Sequence, residues 1–135
     1  MLMGIYEGTA GVTMTNSTAS GSVAGTTRVG GMIGWFIGTG GITVAACSSS
    51  VEVSGDNTVG GLIGEVAGTG GLSVLMNTIT GSVTGESRIG GVAGTFYHAG
   101  GARMNNNTVD ASIAGQADTG KYVGYAEGTE EITID

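Results

Sequence analysis

Cys47 and His98 are the only thiol and the only imidazole in the chain. A cysteine activated by a histidine base is the first chemistry their types allow. They stand 51 residues apart, with no nucleophile elbow at the cysteine and no third group to orient the histidine. We read a buried thiol and a turn histidine, and expect no enzyme. The glycine-rich phrase Gly61-Leu62-Ile63-Gly64 is not a phosphate loop, because no Gly-Lys-Ser/Thr follows it and no helix is expected for an anion to cap. Asp56-Asn57, Glu86 and Asp118 stand in the same corner of successive copies of a repeat, where carboxylates offer oxygens to calcium. The Gly-Gly-x-Gly-x-Asp pattern of calcium-binding β-rolls is missing, and Arg28 and Arg88 share that corner as partners for the acids. Surface charge is therefore the reading, with no metal and no cofactor.

Hydroxyls form the most ordered array. Thr18, Ser20 and Ser22, then Ser48 and Ser50, then Thr78, Thr80 and Ser82, then Thr108 and Ser112 fall on alternate residues of one predicted strand. Glu52 and Asp110 interrupt them. Stacked Ser and Thr are ordinary solvent-side β formers that bond along a ladder, and the same array is the chain's candidate binding face, for a glycan or for ice. Asn16-Ser17-Thr18 and Asn106-Asn107-Thr108 also match the glycosylation acceptor pattern, in a chain so rich in Thr that chance matches are common.

What must position these residues is a repeat of 30 residues that runs without insertion from end to end, 135/30 = 4.5 copies. Val29-Gly-Gly-Met-Ile-Gly34 returns as Val59-Gly-Gly-Leu-Ile-Gly64 and Ile89-Gly-Gly-Val-Ala-Gly94. Apolar columns are as regular: Val12, Ile42, Leu72, Ala102, Ile132, and Val23, Val53, Val83, Ile113. Within a copy the apolar residues alternate, as in Ile42-Thr-Val-Ala45, which is the strand period. Glycine at 29 of 135 positions costs about 1 kcal/mol per helical residue, which disfavours helix. The pattern predicts three short strands per copy, at 41–46, 48–54 and 59–66, each pairing in parallel with its equivalent one copy on.

The fold class expected is therefore all-β: a parallel β-helix, or β-solenoid, of about 4.5 coils. The default for parallel crossovers makes it right-handed. One domain spans 1–135, with repeats 1–30, 31–60, 61–90 and 91–120 and a capping half-repeat 121–135. Gly31, Gly34, Gly55, Gly61, Gly64, Gly85, Gly91, Gly94 and Gly115 are read as corner residues, needing either positive φ or the space of a missing Cβ. Asp118, Glu127, Glu130, Glu131 and Asp135 place five of eleven acids in the last 18 residues, as a cap against edge-to-edge growth requires. Met1-Leu-Met-Gly-Ile-Tyr6 has no such charges. We expect a piece of a longer solenoid, with neighbouring coils or self-association at that edge, and a filament of such units as a further possibility.

Four Lys and Arg against eleven Asp and Glu give a net charge of −7, which argues against nucleic acid, whose binding depends on cations. No apolar run reaches membrane-span length, and residues 1–30 lack the pattern of a signal peptide. One cysteine excludes an intramolecular disulfide.

The repeated Gly-Leu-Ile-Gly phrase with Gly81-Ser-Val-Thr-Gly85 downstream resembles the GLUG motif of bacterial surface proteins, including repeats in immunoglobulin A peptidases. Gly61-Leu62-Ile63-Gly64 is the full form, Gly31-Met32-Ile33-Gly34 and Gly91-Val92-Ala93-Gly94 are close, and Lys121-Tyr122-Val123-Gly124 has lost its first glycine. Members often carry a cysteine after the middle strand; Cys47 matches it, while Ser17, Asn77 and Asn107 hold that column elsewhere. The resemblance implies a secreted or surface-displayed solenoid, extracellular or on the cell surface. It also implies a spacer or adhesive stalk, with any protease activity in other domains.

Overall fold

The computed structural model describes residues 3–97 and 99–135. Among these residues the regular structure is twenty strands and no helix. All of the strand pairs are parallel, and each residue lies beside its counterpart 30 positions away, as in Ile42 beside Leu72, Leu72 beside Ala102 and Ala102 beside Ile132. The chain is a β-solenoid, and the repeat read in the sequence is one coil of it.

Each coil passes through four sheets where the pattern predicted three strands. In the second coil the strands are Ile33–Gly38 in sheet A, Ile42–Ala45 in sheet B, Ser48–Ser54 in sheet C and Asn57–Gly60 in sheet D. The expected strand at 59–66 is in fact two, Asn57–Gly60 and Ile63–Ala67, which meet at a corner. Alternation hid that corner because its apolar residues continue through it. Leu62 and Ile63 are both fully buried, although neighbours on a straight strand face opposite sides. Their two amides donate to the one carbonyl of Val92, at 3.0 and 2.9 Å. The amides of Met32 and Ile33 converge in the same way on Leu62.

The core is made of columns. Val44, Val74 and Met104 stack in one, Val59 and Ile89 in another, and Phe36, Val66 and Phe96 in a third, all of them buried. Each such side chain contributes on the order of 1.5–3 kcal/mol by leaving water. Tyr6 stacks on Phe36 with ring centroids 5.1 Å apart, which carries the aromatic column into the first coil.

None of the nine predicted corner glycines has positive φ; the reason for each is space. A Cβ on Gly64 would stand 2.6 Å from the Arg28 carbonyl carbon and 2.8 Å from the Val29 nitrogen. One on Gly61 would stand 2.8 Å from Ile79 Cγ2 and closer still to the Gly91 oxygen. The obstacle in the columns of Gly61 and Gly71 is the backbone of the following coil. Lys121 and Glu131 hold those two columns where no further described coil lies above them, and both are exposed.

Left-handed backbone sits elsewhere, on residues that are not glycine. Asn16, Ala46, Met76 and Asn106 form one stack at the turn from sheet B to sheet C, with φ between 51 and 54°. Arg28, Thr58, Arg88 and Asp118 form a second inside sheet D, with φ between 49 and 60°. An L-residue there costs about 1–2 kcal/mol against the right-handed region.

Two outcomes follow for glycine columns. Gly64→Val is expected to lower the unfolding free energy by more than about 2 kcal/mol through overpacking. Gly4→Val, in the same column with nothing within 4 Å of its Cβ position, should change it by less than about 0.5 kcal/mol. Urea denaturation of the pair checks the assignment, and equal effects would refute it.

Candidate functional site

Sheet C presents the hydroxyl array, and the backbone decides how regular that array is. Thr18, Ser20, Ser22, Ser50, Thr78, Thr108 and Ser112 are exposed, and Ser48, Thr80 and Ser82 are half-buried. The intervening Ala19, Ile79 and Val109 point into the core, as does Ser49, whose hydroxyl donates to the Gly61 carbonyl at 3.1 Å. Pairing sets Thr18 beside Ser48, Ser48 beside Thr78 and Thr78 beside Thr108. Spacing across coils is thus uniform, at about 4.8 Å. Spacing along the strand is not. Gly21 and Gly81 take φ of 105° and 91°, and in the third coil the strand divides into Thr78–Ile79 and Ser82–Thr84. The fourth coil divides similarly into Thr108–Val109 and Ser112–Ala114. The face is interrupted at its middle in all coils but the second, whose strand Ser48–Ser54 is unbroken and free of positive φ, and Thr80 Oγ1 turns back to the Ser49 carbonyl at 3.4 Å.

Cys47 lies in a ladder of side chains at the turn from sheet B to sheet C. Asn107 Nδ2 donates to the Val74 carbonyl at 2.7 Å, and Asn77 Nδ2 to the Val44 carbonyl at 2.9 Å. Asn77 Nδ2 also reaches Asn107 Oδ1 at 2.9 Å, and the Cys47 amide donates to Asn77 Oδ1 at 2.9 Å. The thiol continues the series with weaker contacts, 3.7 Å from the Met14 carbonyl and 3.3 Å from that of Ala45. Cys47 is free and buried. His98, its suggested partner in chemistry, lies outside the described residues.

The charged corner is arranged differently from the expectation. Arg28 and Arg88 do not turn to Asp56, Glu86 or Asp118. Arg28 Nε meets Glu65 Oε2 at 3.1 Å, while its guanidinium carbon lies 4.1 Å from the centre of the Trp35 ring. Arg88 covers Tyr125 at 4.7 Å. Thr95 Oγ1 donates to Thr58 Oγ1 at 3.4 Å across the same interval of 37 residues that separates Arg28 from Glu65. The left-handed residue of sheet D therefore leans over the outer face of sheet A in the next coil. Glu65 is 7 % exposed there, and its carboxylate has the Arg28 guanidinium as its partner. Tyr125 donates to Glu127 Oε2 at 3.0 Å. That bond and the carboxylate's charge raise the phenol above its ordinary pKa, because ionisation would set two anions side by side. Among the described residues no three of His, Cys, Asp and Glu come together as a metal would need.

Sequence reasoning placed Ser17, Cys47, Asn77 and Asn107 in one column but missed the ladder, and it missed Trp35 and Glu65 altogether. The offset of 37 was the available signal. It is one coil plus the seven residues that separate sheet D from sheet A around the corner.

No protein-family model matches the chain, and neither a curated protein nor a solved structure matches it.

Substitutions in the ladder have opposite expected signs. Asn77→Ala leaves the Cys47 amide and the Val44 carbonyl without their partners, at a cost of about 2–3 kcal/mol. Cys47→Asn completes the series toward Met14 and should stabilise by about 0.5–1.5 kcal/mol. Ala46→Gly, which relieves the left-handed strain, should add about 0.5–1 kcal/mol. Thermal and urea unfolding read all three, and a destabilising Cys47→Asn would remove the ladder account of that thiol.

Proposed function

We propose that the chain is a structural segment, a spacer or adhesive stalk, of a bacterial surface or secreted protein. The observation that carries this reading is where the polar side chains spend their bonds. Asn77, Asn107, Ser49, Arg28 and Glu65 all join one coil to the next. The thiol that might have been a nucleophile is a rung in the same series. Coils of this kind are interchangeable units, and length is what their number sets. The resemblance of Gly61-Leu62-Ile63-Gly64 to the GLUG phrase adds the extracellular or cell-surface setting and the absence of catalysis in this segment.

The expectation is tested by changing length in register. Deletion of residues 61–90 closes Gly60 onto Gly91, a junction of the same kind as Gly60 onto Gly61. The product should fold and be shorter by about 4.8 Å. Labelling of intact cells that express the native gene should reach the segment, and attachment should decline in steps with coils removed. Labelling only after permeabilisation would overturn the surface role. Complete loss of attachment on removing one coil would point to a dedicated site instead of a spacer.

A further inference from the structure

Cations are scarce in this chain, and most of them are engaged. Arg28 is bonded to Glu65 and covers Trp35, Arg88 covers Tyr125, and Lys121 lies 5.8 Å from the Tyr122 ring. Arg103 differs. It is exposed on the outer side of the strand Ala102–Asn105 in sheet B, and makes no ion pair, hydrogen bond or ring contact among the described residues. It stands where two adjoining depressions of sheet B meet.

The two depressions have different linings. One crosses the coils over a floor of stacked glycines, Gly41, Gly71 and Gly101, beside the hydroxyls of Thr43, Ser73 and Thr133. Those glycines, having no side chains, leave the floor open, and a Cβ on Gly41 or Gly71 would stand a tight 3.1 Å from the following coil's backbone. The other holds Leu75 and Met76 beside the amides of Asn105 and Asn106. Met76 is 60 % exposed, in the left-handed backbone of the adjoining turn. The face therefore combines an apolar patch, amides, a line of hydroxyls and one uncommitted guanidinium.

We propose that this face of sheet B binds an acidic polysaccharide, a chain of sugars bearing carboxylates. Leu75 and Met76 fit the C–H face of a pyranose, and Asn105 and Asn106 fit its hydroxyls. Arg103 takes a carboxylate, for which its paired N–H groups are suited. The glycine-floored depression receives the adjoining sugars beside Ser73 and Thr43. The surface is separate from the hydroxyl array of sheet C. One feature selects a sugar acid over an acidic peptide: the open, glycine-floored depression suits a ribbon of rings.

Affinity electrophoresis through gels containing polygalacturonate, neutral dextran or poly-glutamate tests this directly. The chain should be retarded by polygalacturonate alone, and less so as salt is raised. Arg103→Ala should weaken that retardation at least about tenfold, the loss of one charge-assisted pair. Met76→Asp should weaken it as well. Both positions are exposed, so circular dichroism should be unchanged, and Thr18→Ala on sheet C should retain full retardation. No retardation of the wild type, equal retardation by dextran or poly-glutamate, or an Arg103→Ala variant that binds as the wild type would each overturn the proposal. Failure here leaves the cell-surface reading standing, since that rests on labelling and on coil deletion.

Discussion

The backbone ladder between coils is the constraint from which the other features descend. Parallel pairing at about 4.8 Å per coil puts each residue on top of its equivalent, and the pairing here keeps that offset of 30 from Met3 beside Ile33 to Met104 beside Ile134. A requirement at one position then becomes a requirement down a column. The backbone that excludes a Cβ from Gly64 excludes it from Gly34 and Gly94 as well. The buried seat of Val44 is also the seat of Val74 and Met104.

Stacking also changes what polar groups can do inside the fold. A buried amide on its own would cost more in desolvation than one hydrogen bond returns. In a column, each amide is donor to one neighbour and acceptor for the next, as Asn77 is between Val44, Asn107 and Cys47. The turn from sheet B to sheet C is thereby satisfied at its inside, while its left-handed apex is held by Asn16, Ala46, Met76 and Asn106. Asparagine takes that backbone more readily than alanine or methionine does, so the strain at Ala46 and Met76 is carried by the ladder and core around them.

Outside positions answer to a looser rule. Trp35, Glu65 and Tyr125 are equivalent positions along sheet A, and they share neither size nor charge. What unites them is contact with the sheet D residue that overhangs them: Arg28 with Trp35 and Glu65, and Arg88 with Tyr125. A solenoid can thus keep its core columns and diversify its surface coil by coil, which is the property a spacer, a binding face or both would draw on.

The sequence by itself determined the class of fold, the length of the coil and the core columns, because a strict period of 30 with alternating apolar residues is compatible with little else. It also located the crowded glycines. Only the tertiary structure decided why they are glycines, because whether Gly61 lacks room or needs positive φ depends on where Gly91 and Ile79 lie. The fourth strand was invisible because Val59, Leu62 and Ile63 read as one apolar run, while the chain bends between them so that all three face inward. The partners of Arg28 were invisible for a similar reason. A linear sequence places Asp56 in its own column, but the left-handed backbone at Arg28 aims its side chain around the corner to Trp35 and Glu65. Backbone handedness at single residues sets such directions, and no periodicity records it.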